Sequence, residues 1–185
     1  MLGFSVSSQT PTRVDVEATA LRGRFTTLAL FFTALGRWWV ILPVAVLAFA
    51  AATALHARPL AVAAILLSQS VAQIAVDVAK KTYRRPRPGD WLVSPEPGLS
   101  YPSGHAATTV VFYVALAIAT LSAPGVPRDV ALIWGAVVVC CVVGIPWSRI
   151  ALGAHYASDV AGGLLFGTGW LCASVALLDR FGSFA

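Results

Sequence analysis

Long apolar runs separated by short polar stretches dominate the chain. The runs cover about Trp39 to Leu55, Leu60 to Ala79, Ser103 to Leu121, Val130 to Ile145 and Val160 to Leu178. A helix rises 1.5 Å per residue, so roughly twenty apolar residues cross the hydrocarbon core of a bilayer. The pattern predicts an all-α integral membrane protein with about five transmembrane helices.

The stretch before the first run has a different pattern. Apolar residues from Val14 to Phe32 recur at spacings of four and three, which places them on one helical face, while Asp15 falls off that face. This predicts an amphipathic interfacial helix over residues 13–37, ended by Gly36-Arg37. Residues 1–12 are polar and expected to be flexible, and 1–185 form a single domain with the bundle over 38–179.

Composition supports a membrane location. Hydrophobic residues make up 58% of the chain, charged residues 11%, and the mean hydropathy is +0.79. The net charge of +5 comes from basic residues between apolar runs rather than along one solvated face. We therefore expect membrane lipids and phosphate groups as partners and no nucleic acid. The composition indicates a multi-pass protein of the cell membrane and leaves the oligomeric state open.

Chain direction brings the polar stretches together. If the run ending at Ala79 finishes on one side, the next run leaves from that side and the following run returns to it. The loops over 80–105 and 147–159 should therefore meet at one membrane–water interface, with His56 on the opposite side. Pro146 is expected to end the fourth run just before the second loop.

Side chains within the runs give two packing predictions. Gln69, Gln73 and Asp77 are one turn apart and should face the bundle interior. Gly163 and Gly167 form a small-residue pair that favours close approach of a neighbouring helix.

His155 and Asp159 are the strongest candidates for chemistry. Ionisable residues at the end of an apolar segment indicate a function by default. Four residues apart on a helix, the carboxylate would accept a hydrogen bond from one ring nitrogen and stabilise the cation formed when the other attacks an electrophile. The alternative is an ordinary histidine at a helix end.

A second histidine begins the third run, in Pro102-Ser103-Gly104-His105. The first turn of a helix offers unpaired N–H groups to an anion, and glycine lets that anion approach the backbone. His105 beside such an anion is suited to act as a general acid. The alternative is that Ser103 is a simple helix cap.

Cations surround these histidines in the predicted loops. Lys80, Arg87 and Arg149 are candidate phosphate ligands, because arginine binds phosphate oxygens with two N–H groups and lysine supplies a point charge. Lys81 and Arg85 are expected instead to anchor lipid head groups. No cluster of carboxylates suggests a metal, so we predict no metal ion and no cofactor.

Together these segments resemble the three motifs of the type 2 phosphatidic acid phosphatase (PAP2) superfamily. The motif positions are Lys80-x6-Arg87-Pro88, Pro102-Ser103-Gly104-His105 and Ser148-Arg149-x5-His155-x3-Asp159. The resemblance implies that His155 attacks phosphorus, His105 protonates the leaving oxygen and Asp159 orients His155. It also implies a phosphate site formed by Lys80, Arg87, Ser103, Gly104 and Arg149.

The resemblance implies a membrane lipid phosphatase working through a phosphohistidine. Within the family we expect a polyprenyl phosphate or pyrophosphate substrate, with phosphatidate or phosphatidylglycerophosphate as the alternative. A vanadium-dependent peroxidase is disfavoured because those relatives are soluble. A non-enzymatic lipid-phosphate binder is disfavoured because binding needs only the cations, whereas this chain also has both histidines and Asp159.

The membrane side of the site is left open. Many bacterial members have a further spanning helix before the first one here, and they usually place the active site outside. The distribution of arginine and lysine outside the motifs favours a cytoplasmic site face.

Overall fold

The computed structural model describes residues 10–54, 59–89, 96–121 and 125–180. In these ranges the chain is helical, with α1 (Arg13–Glu17), α2 (Thr26–Leu35), α3 (Trp38–Ala54), α4 (Pro59–Tyr83), α5 (Gly104–Thr108), α6 (Ala115–Leu121), α7 (Arg128–Ala151) and α8 (Ala157–Arg180). A 3₁₀ turn, Ala18–Leu21, follows α1, and a π-helical segment, Thr109–Val114, joins α5 to α6. The prediction about His56 lies outside the described residues.

Four helical segments are long and apolar enough to cross a membrane: Pro59–Tyr83, Gly104–Leu121, Arg128–Ala151 and Ala157–Leu177. The pair α2 and α3 passes the same test together, with a bend of 53° between them, which gives up to five spans by length and composition. The prediction of an all-α membrane bundle with about five spans is confirmed.

The N-terminal stretch differs in detail from the single helix expected over residues 13–37. Gly23 and Phe25 both have positive φ, and this left-handed backbone separates the 3₁₀ turn from α2. Helix α2 then packs against α7, where a Cβ on Gly144 would lie 2.2 Å from the Phe32 ring. The predicted break at Gly36-Arg37 is confirmed and forms the bend before α3.

Helices continue further into the polar loops than predicted. Pro146 does not end the fourth span, because α7 runs on to Ala151 and carries Ser148 and Arg149 within it. A proline costs one backbone hydrogen bond, but the buried Pro146 is held by its neighbours, and the Ser148 hydroxyl donates to the Ile145 carbonyl at 2.6 Å. Likewise α4 extends through Lys80 to Tyr83.

The predicted close packing at Gly163 and Gly167 is confirmed. A Cβ on Gly163 would lie 2.3 Å from the Ser103 carbonyl oxygen, and one on Gly167 would lie 2.8 Å from that of Ala107. Helix α8 therefore contacts the backbone of α5 directly. This contact fixes the start of α5 against the start of α8, which is where His105 and Asp159 lie.

Replacing Gly163 by alanine is expected to lower stability by roughly 1–3 kcal/mol, because the added methyl group meets backbone that has to move. Gly169→Ala is the matched control, since a Cβ there meets no atom within 4 Å and the same helix gains the same intrinsic propensity. Thermal unfolding in detergent compares the two variants. Equal melting temperatures would show that α8 and α5 are not in close contact.

Candidate active site

The polar segments meet at one end of the bundle, as the chain direction predicted. The C-terminal ends of α4 and α7 lie there with the N-terminal ends of α5 and α8. Arg87 in the loop after α4 is 3.0 Å from the His155 ring through Nη1 and Nε2. The Ser103 N–H donates to the Asp159 carbonyl at 3.0 Å, so the start of α5 is tied to α8.

His155 lies in the turn between α7 and α8 and is 2% exposed. Its N–H donates to the Arg149 carbonyl at 3.1 Å. Because a guanidinium has only donors, the Arg87 contact requires a lone pair on Nε2, which leaves the ring proton on Nδ1. Burial lowers the pKa of His155 to about 4, assisted by Arg149 and Arg87 and opposed by Asp159. The ring is therefore neutral near pH 7, and its Nε2 lone pair accepts from Arg87.

Asp159 supports the other ring nitrogen, although not in the predicted way. His155 precedes α8 rather than sharing a helix with Asp159, and the Nδ1–Oδ2 distance is 3.6 Å. The Ser100 hydroxyl lies between them: it donates to Oδ2 and is 3.4 Å from Nδ1. The Tyr156 N–H donates to Oδ2 at 2.8 Å. The predicted pair is present, with Ser100 as a further member that the sequence analysis missed.

His105 is in the first turn of α5 and lines the cavity. Its Nε2 is buried and has no hydrogen-bond partner among the described residues. A Cβ on Gly36 would lie 2.4 Å from the ring, so the bend between α2 and α3 packs against it. An unpaired buried nitrogen fits a group that receives its partner from a bound molecule.

The candidate phosphate ligands divide into two groups. Lys80, Arg87 and Gly104 line the same cavity as the two histidines, and the Lys80 ammonium is 3.8 Å from Asp77. Ser103 is fully buried, caps α5 by accepting from the Ala106 N–H at 3.5 Å, and does not line the cavity. For its hydroxyl, the structure therefore shows the capping role.

Arg149 is 1% exposed. It contacts the cavity indirectly, through the carboxylate of Glu96, which lines it. Its guanidinium donates to the Thr33 hydroxyl on α2 and to Glu96. The same Glu96 oxygen is 3.5 Å from Arg87, while the other oxygen is 3.2 Å from Arg37. Burial would raise the pKa of Glu96, but Arg149 and Arg87 hold it below its usual value. An ionised carboxylate thus occupies the centre of the cation cluster.

Glu96 and Arg37 were not found as site residues from the sequence. Glu96 lies between two prolines in a segment without periodicity, and nothing in its neighbours indicates three arginine partners. The motif residues are recognisable because they stand in fixed spacings. A residue that only neutralises them has no such signal.

Two further predictions about polar side chains are wrong. Arg85 does not anchor lipid head groups: it is 0% exposed and pairs with Asp15 and Asp159. Asp77 does not face the bundle interior, because its side chain is 67% exposed.

The predictions for Gln69 and Gln73 are confirmed. Both amides donate to the Thr108 hydroxyl at 2.8 Å, and Gln73 also donates to the Gly104 carbonyl at 3.3 Å. They connect α4 to α5, and both line the cavity.

The cavity has a volume of about 650 Å³ and two chemically different ends. The polar end contains the histidines and cations. The other end runs between α3 and α4 past Ile41, Leu42 and Leu66, next to Gln69 and Ser70. Trp38 and Trp39 also line the cavity, and the Arg37 guanidinium lies over the Trp39 ring. Such a shape fits an amphiphile with a charged head and a hydrocarbon tail. In the described ranges no three His, Cys, Asp or Glu side chains are grouped as a metal site, and metal independence remains a prediction.

The helical bundle, with two histidines and a cluster of cations at one end, is that of a multi-pass membrane protein. A family model for the PAP2 superfamily matches residues 58–183, and the chain belongs to that superfamily. The solved transmembrane PAP2-type phosphatidylglycerolphosphate phosphatase of Bacillus subtilis has the same fold. It superposes with a TM-score of 0.82 over 99% of this chain and 95% of that chain, at 19% identity.

Two curated relatives are more similar in sequence over a shorter region. The lipid A 1-phosphatase of Rhizobium etli is 34% identical over 79 residues, which is 43% of this chain and 29% of the relative. That of Rhizobium johnstonii is 31% identical over 83 residues, which is 45% of this chain and 30% of the relative. The matched region therefore spans less than a third of these relatives.

His155 is expected to remain neutral well below the pH at which histidines usually titrate. Burial disfavours the charged ring, so its proton uptake should have a midpoint near pH 4 instead of about 6.5. Nuclear magnetic resonance of ring-labelled protein in detergent measures the midpoint, and His155→Gln identifies the signal. A midpoint between pH 6 and 7 would show that the ring is not buried as described.

Proposed function

We propose that this protein is a membrane-embedded lipid phosphatase that transfers the terminal phosphoryl group of its substrate to Nε2 of His155 and then to water. One observation carries the proposal: the lone pair of His155 and the unpaired Nε2 of His105 belong to one cavity that holds a cation cluster and continues into an apolar groove. One lipid molecule can therefore place its phosphate beside the histidines while its apolar tail lies in the groove.

The cation cluster is suited to a phosphoryl group. Charge on the phosphoryl oxygens in the transition state needs positive groups that are already in place. Lys80, Arg87 and Arg149 supply them, and the backbone of Gly104 lies next to this positive charge, because a Cβ there would be 3.9 Å from the Lys80 ammonium. Substrate phosphate takes the position of the Glu96 carboxylate, so one anion replaces another and the arginines keep a partner.

The reaction has two steps that share one proton carrier. In the first, Nε2 of His155 forms a bond to phosphorus and the bond from phosphorus to the lipid oxygen breaks. His105, in the cationic form that the bound phosphate stabilises, donates a proton to that oxygen and becomes neutral. In the second, His105 accepts a proton from water, the water oxygen bonds to phosphorus, and the phosphorus–nitrogen bond breaks to release phosphate. Asp159 stabilises the positive charge that the phosphorylated ring carries.

For the substrate we propose a polyprenyl phosphate or pyrophosphate, whose single apolar chain would lie in the groove between α3 and α4. Phosphatidate or phosphatidylglycerophosphate is the alternative with the same mechanism. A phosphorylated glycolipid is a further candidate, which the similarity to the two lipid A 1-phosphatases favours.

A panel of lipids tests the function directly. Purified protein in detergent is expected to release phosphate from farnesyl or undecaprenyl pyrophosphate faster than from phosphatidate, phosphatidylglycerophosphate or lipid A. Activity should persist in a chelator, since the proposed steps use only side chains. Phosphate release from lipid A alone would show that lipid A, and not a polyprenyl phosphate, is the substrate. Phosphate release from none of the lipids would overturn the proposed function. Bromide oxidation in added vanadate would instead indicate a peroxidase.

His155→Gln is expected to abolish turnover, because the nucleophile is lost. Brief reaction of the wild type with a substrate labelled in its terminal phosphate, followed by quenching in base, should leave the label on the peptide that contains His155. Mass spectrometry locates it. Label on another residue, or substantial activity in the variant, would exclude the covalent route.

Asp159→Asn is expected to reduce kcat strongly, by roughly 10⁴-fold if it acts as the analogous substitution does in a serine protease triad. The amide keeps the size of the side chain but removes the charge that holds the ring proton on Nδ1. Steady-state kinetics at saturating substrate provides the measurement. A kcat within a few-fold of the wild type would remove Asp159 from the reaction.

A further inference from the structure

Arg85 lies behind the cavity and joins three parts of the chain. Its Nη1 donates to Asp159 Oδ1 at 2.6 Å and to the Ser158 hydroxyl at 2.7 Å, and its Nη2 donates to Asp15 Oδ2 at 2.9 Å. The guanidinium carbon of Arg85 is 4.3 Å from the centroid of the Tyr156 ring. The side chains of Arg85 and both carboxylates are 0% exposed. The contacts hold Arg85 in one orientation.

The two oxygens of the Asp159 carboxylate face different partners, Arg85 and His155. Oδ1 accepts from Arg85, while Oδ2 accepts from Ser100 and from the Tyr156 N–H and faces the His155 ring. Fixing one oxygen of a carboxylate fixes the direction of the other. Arg85 therefore sets both the charge and the orientation of the group that faces Nδ1.

Asp15 extends this arrangement to the N-terminal helix. Its carboxylate completes the capping box of α1 by accepting from the Thr12 N–H at 2.9 Å. The same carboxylate accepts from the Ser158 N–H at 2.8 Å and from Arg85. A five-residue helix is not stable alone in water, so α1 depends on this docking. In return, Asp15 gives the Nη2 group of the buried Arg85 guanidinium an acceptor, which it would otherwise lack.

We propose that Arg85 is a positioning residue, which holds the Asp159 carboxylate ionised and aimed at His155, and that Asp15 locks Arg85 in place from α1. The proposal rests on the proposed function. Arg85 does not line the cavity, and its effect passes through Asp159. The N-terminal helix is thus part of the catalytic arrangement and not only an attachment to the bundle.

If Arg85 positions Asp159, replacing Arg85 should lower kcat and leave substrate binding largely unchanged. The phosphate ligands keep their places without Arg85, but the carboxylate that stabilises the phosphorylated ring loses its direction. Without the neighbouring cation, the Asp159–His155 pair should also bind a proton at a higher pH. Replacing Arg85 leaves the other charged or titratable groups around this pair unchanged: Lys80, Arg87, Glu96, Tyr101, His105, Arg149 and Tyr156. Replacing Asp15 as well removes an anion, but its ion pair is with Arg85, which lies directly on Asp159, so the loss of the cation should dominate.

The experiment compares three variants with the wild type. Arg85→Lys keeps the charge but lacks the fork that contacts both carboxylates. Arg85→Met combined with Asp15→Asn removes the ion pair together, which avoids leaving Asp15 charged and unpaired. Arg84→Gln is the matched control, because Arg84 is the adjacent, exposed arginine and its replacement loses the same charge.

The double variant is expected to show a kcat at least about tenfold lower, with KM within about twofold of the wild type. The acid limb of its kcat/KM profile should move to higher pH. Arg85→Lys should return that limb toward the wild-type position while recovering only part of kcat, and Arg84→Gln should match the wild type. A folded double variant with unchanged kcat and an unchanged profile would overturn the proposal.

Titration of His155 by nuclear magnetic resonance separates this proposal from the proposed function. If the wild type hydrolyses no lipid phosphate, the function fails, yet the midpoint of His155 should still move upward in the folded double variant. An unchanged midpoint would overturn the link through Arg85 whether or not the protein is a phosphatase. Near-ultraviolet circular dichroism and the melting temperature establish that each variant is folded.

Discussion

Positive charge inside an apolar helical bundle must be neutralised, and the rest of this structure depends on how that is done. Arg85 and Arg149 are almost completely buried, and each is held by carboxylates: Asp15 and Asp159 for Arg85, Glu96 for Arg149. An unpaired buried ion would be several kcal/mol less stable, so these contacts constrain the backbone that carries them. They fix α1, the segment from Glu96 to Ser100, and the start of α8.

The two clusters have different consequences because their anions differ in accessibility. Asp15 and Asp159 are enclosed, so the Arg85 cluster is a permanent part of the fold. Glu96 lies in a segment that borders the cavity, and its carboxylate bridges cations that a phosphate would also bind. A cation cluster that is already neutralised and oriented requires little rearrangement when one anion replaces another. That is the arrangement expected of a site that stabilises a phosphoryl group.

The sequence predicted the architecture and the motif residues because both leave regular signals. Apolar runs of the length of a bilayer predict the spans, and their alternation in direction places His105 and His155 at the same end. The close contact at Gly163 follows from a small-residue pair. The resemblance to the PAP2 superfamily depends on spacings that can be read along the chain.

The residues that support the motifs could not be found in the same way. Arg85 stands between Arg84 and Arg87, and the sequence does not distinguish an exposed, a buried and a cavity-lining arginine at three neighbouring positions. Its partners Asp15 and Asp159 lie 70 and 74 residues away, and such pairing is decided by tertiary packing. The prediction that Pro146 ends a helix follows from the intrinsic effect of proline, whereas packing inside the bundle overrides that preference.

A structure of the protein with bound orthovanadate tests the central claim most directly, since vanadate adopts the geometry of a phosphoryl group in transfer. We expect vanadium bonded to Nε2 of His155, an apical oxygen beside Nε2 of His105, and the Glu96 carboxylate displaced from Arg149. Vanadate bound elsewhere, with the contact between Arg87 and His155 intact and Glu96 still in place, would contradict this claim.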